Sequence, residues 1–361
     1  MVHSLYEPLP STSMIRVLIV EDSVTQREIF KRLLNADPAF TVMAEARNGR
    51  EAVAKVLEHP PDVILMDIHM PDMDGIEATR EIMRLCPVPI VIASATLKKQ
   101  DVNLALQALE AGAVSVISKP EGALLLHLES IAPGLRDELL AASRAKLPKV
   151  AGRAARSAAM KKPAPTASIH LADIIGVCAS TGGPPVLAQI FSALPKPVPL
   201  PVLLVQHISQ GFEEGFARWL SDVTGQSVRL AAAGQKLEPG VWMAPNGTHL
   251  TVASTARLAL VPKEAKDIHA PSGNPLFESL AKTFQARALG VLLTGMGDDG
   301  ARGLLALRQA GGTTIIQDEA SCMIWGMPKS GKQLDAAMHE MNPSGIASAL
   351  THMLARRTKT P

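Results

Sequence analysis

Aromatic residues are scarce: Phe, Trp and Tyr together make up 3% of the 361 residues. So few rings leave little for stacking on bases, and 36 basic against 34 acidic residues give no surplus of positive charge for a phosphate backbone. No nucleic-acid partner is expected. Cysteine is rarer still. Cys86, Cys178 and Cys322 are far apart and form no C-x-x-C, which argues against disulfides and against a zinc site. Apolar residues reach 47%, yet no uninterrupted run has the length of a membrane span, so no insertion into a bilayer is expected. Residues 1–13 lack a basic start followed by an apolar stretch, so they read as a disordered leader rather than an export signal, and Met14 is a candidate true start. These absences describe a cytoplasmic protein with room for two domains.

Acidic residues are missing from two further stretches. Between Glu138 and Asp173 there are none, while Arg144, Lys146, Lys149, Arg153, Arg156, Lys161 and Lys162 are basic and Ala, Ser and Pro fill the rest. Residues 139–170 therefore read as a solvated tether, helical at first and then disordered. Between Asp173 and Glu213 there are again none. That gap removes the ribose-binding acid a dinucleotide site needs after its second strand. Gly176, Gly182 and Gly183 do not supply G-x-G-x-x-G either.

What is present is alternation. From Ile15, apolar runs at Ile15–Val20, Thr41–Ala44, Val63–Met66, Ile90–Ala93 and Val114–Ile117 read as strands, separated by helical stretches and followed by a helix from about Leu124 to Ala142. Five such units predict a doubly wound parallel sheet over residues 14–138. Residues 171–361 repeat the theme. Strands are expected at Ile174–Val177, Val202–Val205, Gly290–Leu293 and Thr313–Gln317. Shorter strands and turns at Pro239-Gly240 and Asn246-Gly247 mark a β-hairpin insertion between about Val228 and Val261.

Polar residues collect where the strands end. In the first domain Glu21 and Asp22 follow the first strand, Asp67 the third, Ser94 the fourth and Lys119 the fifth. Each alone could be a solvated loop residue; at successive strand ends of a parallel sheet all five converge on one edge. Three clustered acids repel one another unless a hard cation such as Mg²⁺ joins them. The cation and Lys119 would neutralise a phosphoryl group, Ser94 would donate to it, and Asp67 would attack it. The segments Val-Glu21-Asp22-Ser, Leu-Met-Asp67-Ile-His-Met-Pro71-Asp-Met-Asp-Gly75 and Ser-Lys119-Pro120 resemble the flavodoxin-like receiver domain of response regulators. The resemblance implies that Asp67 takes a phosphoryl group from a histidine kinase of the CheA type. It also implies Mg²⁺ held by Asp22, Asp67 and the backbone carbonyl of His69, with Glu21 in support. Val116 departs from the pattern, standing where many receivers carry an aromatic switch residue.

In the second domain, Ile174-Ile-Gly-Val-Cys-Ala-Ser-Thr-Gly-Gly-Pro-Pro185 reads as a buried strand breaking into a helix, with prolines suited to the first turn. Such a turn exposes Ser180 at the sheet edge beside free helix N–H groups, the arrangement of an activated nucleophile and an oxyanion hole. The same stretch could be a plain connecting turn, and Cys178 stands where G-x-S-x-G has its first glycine. His207 and the pair Asp298/Asp299 also follow buried strands, so a nucleophile, a base and an orienting acid meet at one edge. His249, His269 and His339 follow no clean buried strand and are poorer bases. The segments Gly176-Val-Cys-Ala-Ser180-Thr-Gly-Gly, Val205-Gln-His207, Leu293-Thr-Gly-Met-Gly-Asp-Asp299-Gly and Asp318-Glu-Ala-Ser-Cys322…Gly326-Met-Pro328 are similar to the catalytic domain of chemotaxis protein-glutamate methylesterases, the CheB family.

That resemblance makes Ser180 the nucleophile, His207 the general base and Asp299 the third member, with backbone N–H groups near Thr181 and Met296 lining the oxyanion hole. It implies hydrolysis of glutamate γ-methyl esters on the cytoplasmic domains of methyl-accepting chemoreceptors, some relatives also deamidating glutamine, with no cofactor for the ester step. It further implies a receiver that covers the active site until Asp67 is phosphorylated. Two other readings fit the same residues: a phosphorylation-switched binding module without catalysis, and an amidase or esterase on another substrate.

Overall fold

Short apolar runs alternate with well-capped helices to build the first half of the chain. The computed structural model describes residues 14–94, 99–119, 128–147, 169–254 and 256–357; the leader and residues 148–168 of the tether lie outside these. Strands β1 (Ile15–Val20), β2 (Phe40–Ala46), β3 (Val63–Asp67), β4 (Ile90–Ser94) and β5 (Ser115–Ser118) alternate with α1 (Val24–Asn35), α2 (Gly49–Glu58), α3 (Gly75–Leu85), α4 (Lys99–Glu110) and α5 (Leu128–Ser143). Ser23, Asn48 and Asp74 each accept a backbone N–H at the start of α1, α2 and α3, satisfying a donor the helix leaves orphaned. The strands pair in parallel in the order β2-β1-β3-β4-β5. β3 and β4 are buried along their whole length, which is why they read as unbroken apolar runs rather than alternating ones. The order reverses beside β1, so the carboxyl ends of β1 and β3 flank the crevice. Helix α5 ends at Ser143, one residue beyond the end at Ala142 read from the sequence.

The second half comprises β6 (Ile174–Ala179), α6 (Gly183–Ser192), β7 (Pro201–Gln206), α7 (Glu213–Thr224), β8 (Val228–Leu230), β9 (Gly240–Met243), β10 (Thr248–Ala253), β11 (Arg257–Pro262), α8 (Gly273–Thr283), β12 (Ala288–Leu292), α9 (Ala301–Gln309), β13 (Thr313–Gln317), α10 (Met327–Gln333), β14 (His339–Met341) and α11 (Pro343–Arg357). Seven of the strands form one sheet in the order β14-β13-β12-β6-β7-β9-β8, every neighbouring pair parallel. Two parallel α/β sheets are thus present, as the alternation predicts. The hairpin insertion is narrower than expected. Only β10 and β11 form it, and Asn246-Gly247 links β9 to β10 instead of turning the hairpin. β9 pairs with β7 and β8 with β9, so both extend the main sheet. β14 was not foreseen: three residues, His-Glu-Met, carry no pattern, and only pairing with β13 makes them a strand.

The two halves share a boundary. Helix α4 lies on α7, and an added Cβ on Gly215 would collide with Val102, so glycine is what permits the close approach. One apolar cluster runs across this contact, taking in Ile92 and Leu106 on one side and Leu204 and Phe216 on the other. Burying a side chain such as Phe216 is worth about 1.5–3 kcal/mol. Polar bridges flank it: Trp219 Nε1 donates to Glu110 Oε1 (2.7 Å), Ser209 Oγ to the Val116 carbonyl (3.2 Å), and Lys146 N to the Met323 carbonyl (2.9 Å). Among the described residues no helix is long and apolar enough to cross a membrane.

Candidate functional site

The carboxyl ends of β1, β3, β4 and β5 gather the first set of predicted residues. Glu21, Asp22 and Asp67 have carboxylate oxygens within 4.8 Å of one another. Lys119 Nζ lies 2.7 Å from Asp67 Oδ1 and 2.7 Å from Glu21 Oε2. Burial works against the Lys119 charge, but the Asp67 and Glu21 carboxylates outweigh it and raise its pKa. Burial and the neighbouring Asp67 push the Glu21 carboxyl up. One ammonium is too little for three acids, and an all-oxygen donor set with surplus negative charge fits Mg²⁺. The Asp67 Oδ1 accepts the Ile68 N–H at 2.7 Å, and Ser94 is buried at the end of β4. Residue 120 lies outside the described residues.

The second set meets at the edge of the other sheet. β6, β7 and β12 are neighbours there, and each delivers one side chain as it ends. Ser180 follows β6 and is buried, with its N–H on the Thr294 carbonyl (3.0 Å). His207 follows β7, and its Nε2 lies 2.9 Å from Asp299 Oδ2. Asp299 is buried while Asp298 is exposed, so the structure separates two acids that the sequence leaves side by side. Gly295 approaches Ser180 closely: an added Cβ would lie 2.6 Å from the Ser180 Cβ. That approach brings the strand end carrying Met296 against the turn carrying Thr181. Among the described residues neither the Thr181 nor the Met296 N–H donates a hydrogen bond within the protein, which leaves both able to serve an oxyanion.

Asp299 is held far more tightly than the sequence shows. Ser272 Oγ donates to Oδ1 (2.5 Å), Asn274 Nδ2 to Oδ1 (3.1 Å) and the Gly273 N–H to Oδ2 (2.7 Å). These donors open helix α8, whose N-terminus favours an anion. Burial opposes the charge, but the bonds from His207, Ser272 and Gly273 overcome it and hold the carboxyl well below the usual carboxylate range. An ionised carboxylate only accepts, so Nε2 of His207 is the donor in this contact.

Four further groups make contacts at this site that the sequence does not show, among them His269, read there only as a poorer base. His269 stacks on His207, ring centroids 4.6 Å apart and planes at 16°, and burial lowers its pKa, with His207 adding to the shift. Gln206 Nε2 donates to both the Ser180 carbonyl (3.0 Å) and the His207 carbonyl (2.8 Å), tying the two turns together. Cys178 Sγ lies 3.9 Å from Asp299 Oδ2, and burial raises its thiol pKa well above normal, so it stays an inert thiol. Glu138 reaches across from α5 to Thr181 Oγ1 at 3.1 Å. Of the other histidines, His249 pairs with Asp267 (2.9 Å) in the hairpin, and His339 lies in β14. Ser272, which holds Asp299, carries a local signal as a serine standing just before a helix.

Comparison with known proteins follows the same division. The family described as CheB methylesterase matches residues 175–350, and that described as response regulator receiver domain matches residues 17–129. A Methanospirillum hungatei protein named protein-glutamate methylesterase/protein-glutamine glutaminase 2 is 40% identical over 353 residues, covering 95% of this chain and 99% of the relative. Its Anaeromyxobacter dehalogenans counterpart, numbered 3, is 42% identical over 345 residues, covering 95% of this chain and 100% of the relative. A crystal structure of the Thermotoga maritima CheB methylesterase catalytic domain is 31% identical, covers 50% of this chain and 98% of that chain, and superposes with a TM-score of 0.48. With such identity sustained over nearly the whole of both full-length relatives, this chain belongs to the CheB methylesterase family, in the form that carries a response-regulator receiver domain ahead of the catalytic one.

Proposed function

We propose that this protein is a phosphorylation-activated protein-glutamate methylesterase. It hydrolyses glutamate γ-methyl esters on chemoreceptors, giving glutamate and methanol, and deamidates receptor glutamines by the same acyl-enzyme route. The observation that carries the reading is the 2.9 Å contact between His207 and the buried Asp299 at the strand edge that also bears Ser180. In the first step Ser180 Oγ attacks the ester carbonyl and passes its proton to Nδ1 of His207. Asp299 stabilises the imidazolium through Nε2. The Thr181 and Met296 N–H groups receive the oxyanion. The imidazolium then protonates the departing methoxide. In the second step water, deprotonated by His207, attacks the acyl-enzyme; glutamate leaves and Ser180 regains its proton. Methanol release from methylated receptor membranes tests this, and a phosphorylated chain that releases none overturns it.

Regulation is assigned to the first site. Asp67 receives the phosphoryl group from a CheA-type histidine kinase, with Lys119 and Ser94 contacting its oxygens. Asp22, Asp67 and the His69 carbonyl would hold Mg²⁺, supported by Glu21. The ion supplies positive charge to the phosphoryl oxygens when bound. Asp67→Asn should keep the full-length chain at its basal rate even with phosphodonor and Mg²⁺, whereas the wild type rises roughly five- to 150-fold, the usual span of allosteric coupling. Equal stimulation of both would remove Asp67 from the pathway.

The close packing of α4 on α7 gives a second prediction. A valine at position 215 must displace Val102, so Gly215→Val is expected to wedge the receiver away and raise the rate several-fold without phosphodonor. A rate at or below wild type, with the protein still folded by circular dichroism, would show that the receiver does not restrain catalysis through this contact.

A further inference from the structure

Among the contacts that join the two halves, one brings a carboxyl group to the catalytic edge. Glu138, near the end of α5, is half-buried, and its Oε1 accepts a hydrogen bond from the hydroxyl of Thr181 at 3.1 Å. Thr181 is buried and directly follows Ser180. The other bridges between the halves place serine hydroxyls and the Lys146 N–H on carbonyl oxygens, an indole on the exposed-edge carboxylate of Glu110, and the Lys146 ammonium on the exposed carboxylate of Glu319. A carboxyl group is an expensive way to fill an interface, since an apolar side chain of similar size would avoid the desolvation penalty. Burial does push the Glu138 carboxyl up, and hydrogen bonds from Ser115 and Thr181 together with attraction to His207 only partly offset it.

The chemistry of the proposed reaction offers a reason to place an acid there. Its product is a glutamate γ-carboxylate presented from a receptor helix. Glu138 is itself a glutamate presented from a helix, with one carboxylate oxygen on the hydroxyl beside the nucleophile. A γ-methyl ester differs only by the methyl on one oxygen and still offers the other oxygen to a hydroxyl donor. We propose that Glu138 is an internal stand-in for the reaction product, and that the Thr181 hydroxyl is the substrate-positioning group that both Glu138 and the receptor glutamyl group use. The proposal rests on the esterase reading above. It adds to a receiver that merely covers the site a defined chemical mimic within it.

The experiment uses the full-length chain with methylated receptor membranes, and a synthetic receptor peptide carrying free glutamate as the product inhibitor. Without phosphodonor, Glu138→Ala should raise methanol release about tenfold, within the range of allosteric coupling. Glu138→Asp, which keeps the charge but draws it back by one methylene, should do nearly the same. Glu110→Ala, which removes a bridge elsewhere in the same interface, should change the rate less than twofold. In the phosphorylated chain, Thr181→Val should raise KM and the product-peptide Ki together several-fold, and with Thr181→Val in place Glu138→Ala should add no further activation. Unchanged phosphorylation of Asp67 in each variant reports an intact receiver.

Three results overturn the proposal while leaving the esterase reading standing: Glu138→Ala no faster than wild type, Glu110→Ala equal to Glu138→Ala, or Thr181→Val with unchanged KM and Ki. Absence of methanol from phosphorylated wild type overturns both.

Discussion

Replacing Ser180 with alanine is expected to lower methanol release by several orders of magnitude; loss of a triad nucleophile costs about 10⁶-fold in a studied serine protease. The size of the effect follows from what the hydroxyl does. It supplies the electron pair that makes the acyl-enzyme, and the nearby thiol of Cys178 does not replace it, being buried with its pKa raised. The substitution removes one oxygen from a turn whose hydrogen bonds run through the backbone of residue 180, so the fold and Asp67 phosphorylation should be untouched. Release within tenfold of wild type would remove Ser180 from the reaction.

The second large effect separates two adjacent acids. Asp299→Asn should cut turnover by about 10⁴-fold, the loss seen when a triad aspartate becomes an amide and the imidazole is left in the wrong tautomer. Here the amide faces a second conflict. Four donors, from Ser272, Gly273 and Asn274, converge on a carboxylate that accepts with both oxygens, and an amide nitrogen can accept none of them. Asp298→Asn should stay within a few-fold of wild type, since its side chain is exposed and its carbonyl only closes the turn into α9 (Ala301 N to Asp298 O, 3.1 Å). Comparable losses from the two variants would show that the orienting acid is misassigned.

The residues that chemistry needs at strand ends were legible because a parallel sheet puts all its carboxyl ends on one edge. Once β1, β3, β6 and β7 are read as apolar runs, Asp67, Ser180 and His207 stand at their ends as candidates, and the family resemblance is what chose the last two over a connecting turn and a structural histidine. The choice between Asp298 and Asp299 was not legible in local pattern, because it depends on which residue faces the first turn of α8, some 26 residues earlier in the chain. The role of Glu138 was hidden for a stronger reason. It acts across a domain boundary, and nothing within several residues of it distinguishes it from any acid on an amphipathic helix. β8 and β9 read from the sequence as part of the hairpin because short strands flanked by turns look the same whether they pair with each other or with a distant strand. Parallel pairing beside β7 is decided by tertiary packing.

The close packing of α4 against α7 has one consequence for how the enzyme responds to its surroundings. Receiver and catalytic domain sit on one polypeptide, so the receiver meets its docking face at an effective concentration on the order of millimolar. Dilution therefore cannot lift it, and each molecule carries one receiver per catalytic domain whatever its abundance in the cell. A rise in the amount of protein changes the basal esterase rate in simple proportion and leaves the stimulated-to-basal ratio fixed. In the regulation proposed above, the gain is thus set by the free energy of the contacts between the two halves, and expression level sets only the scale.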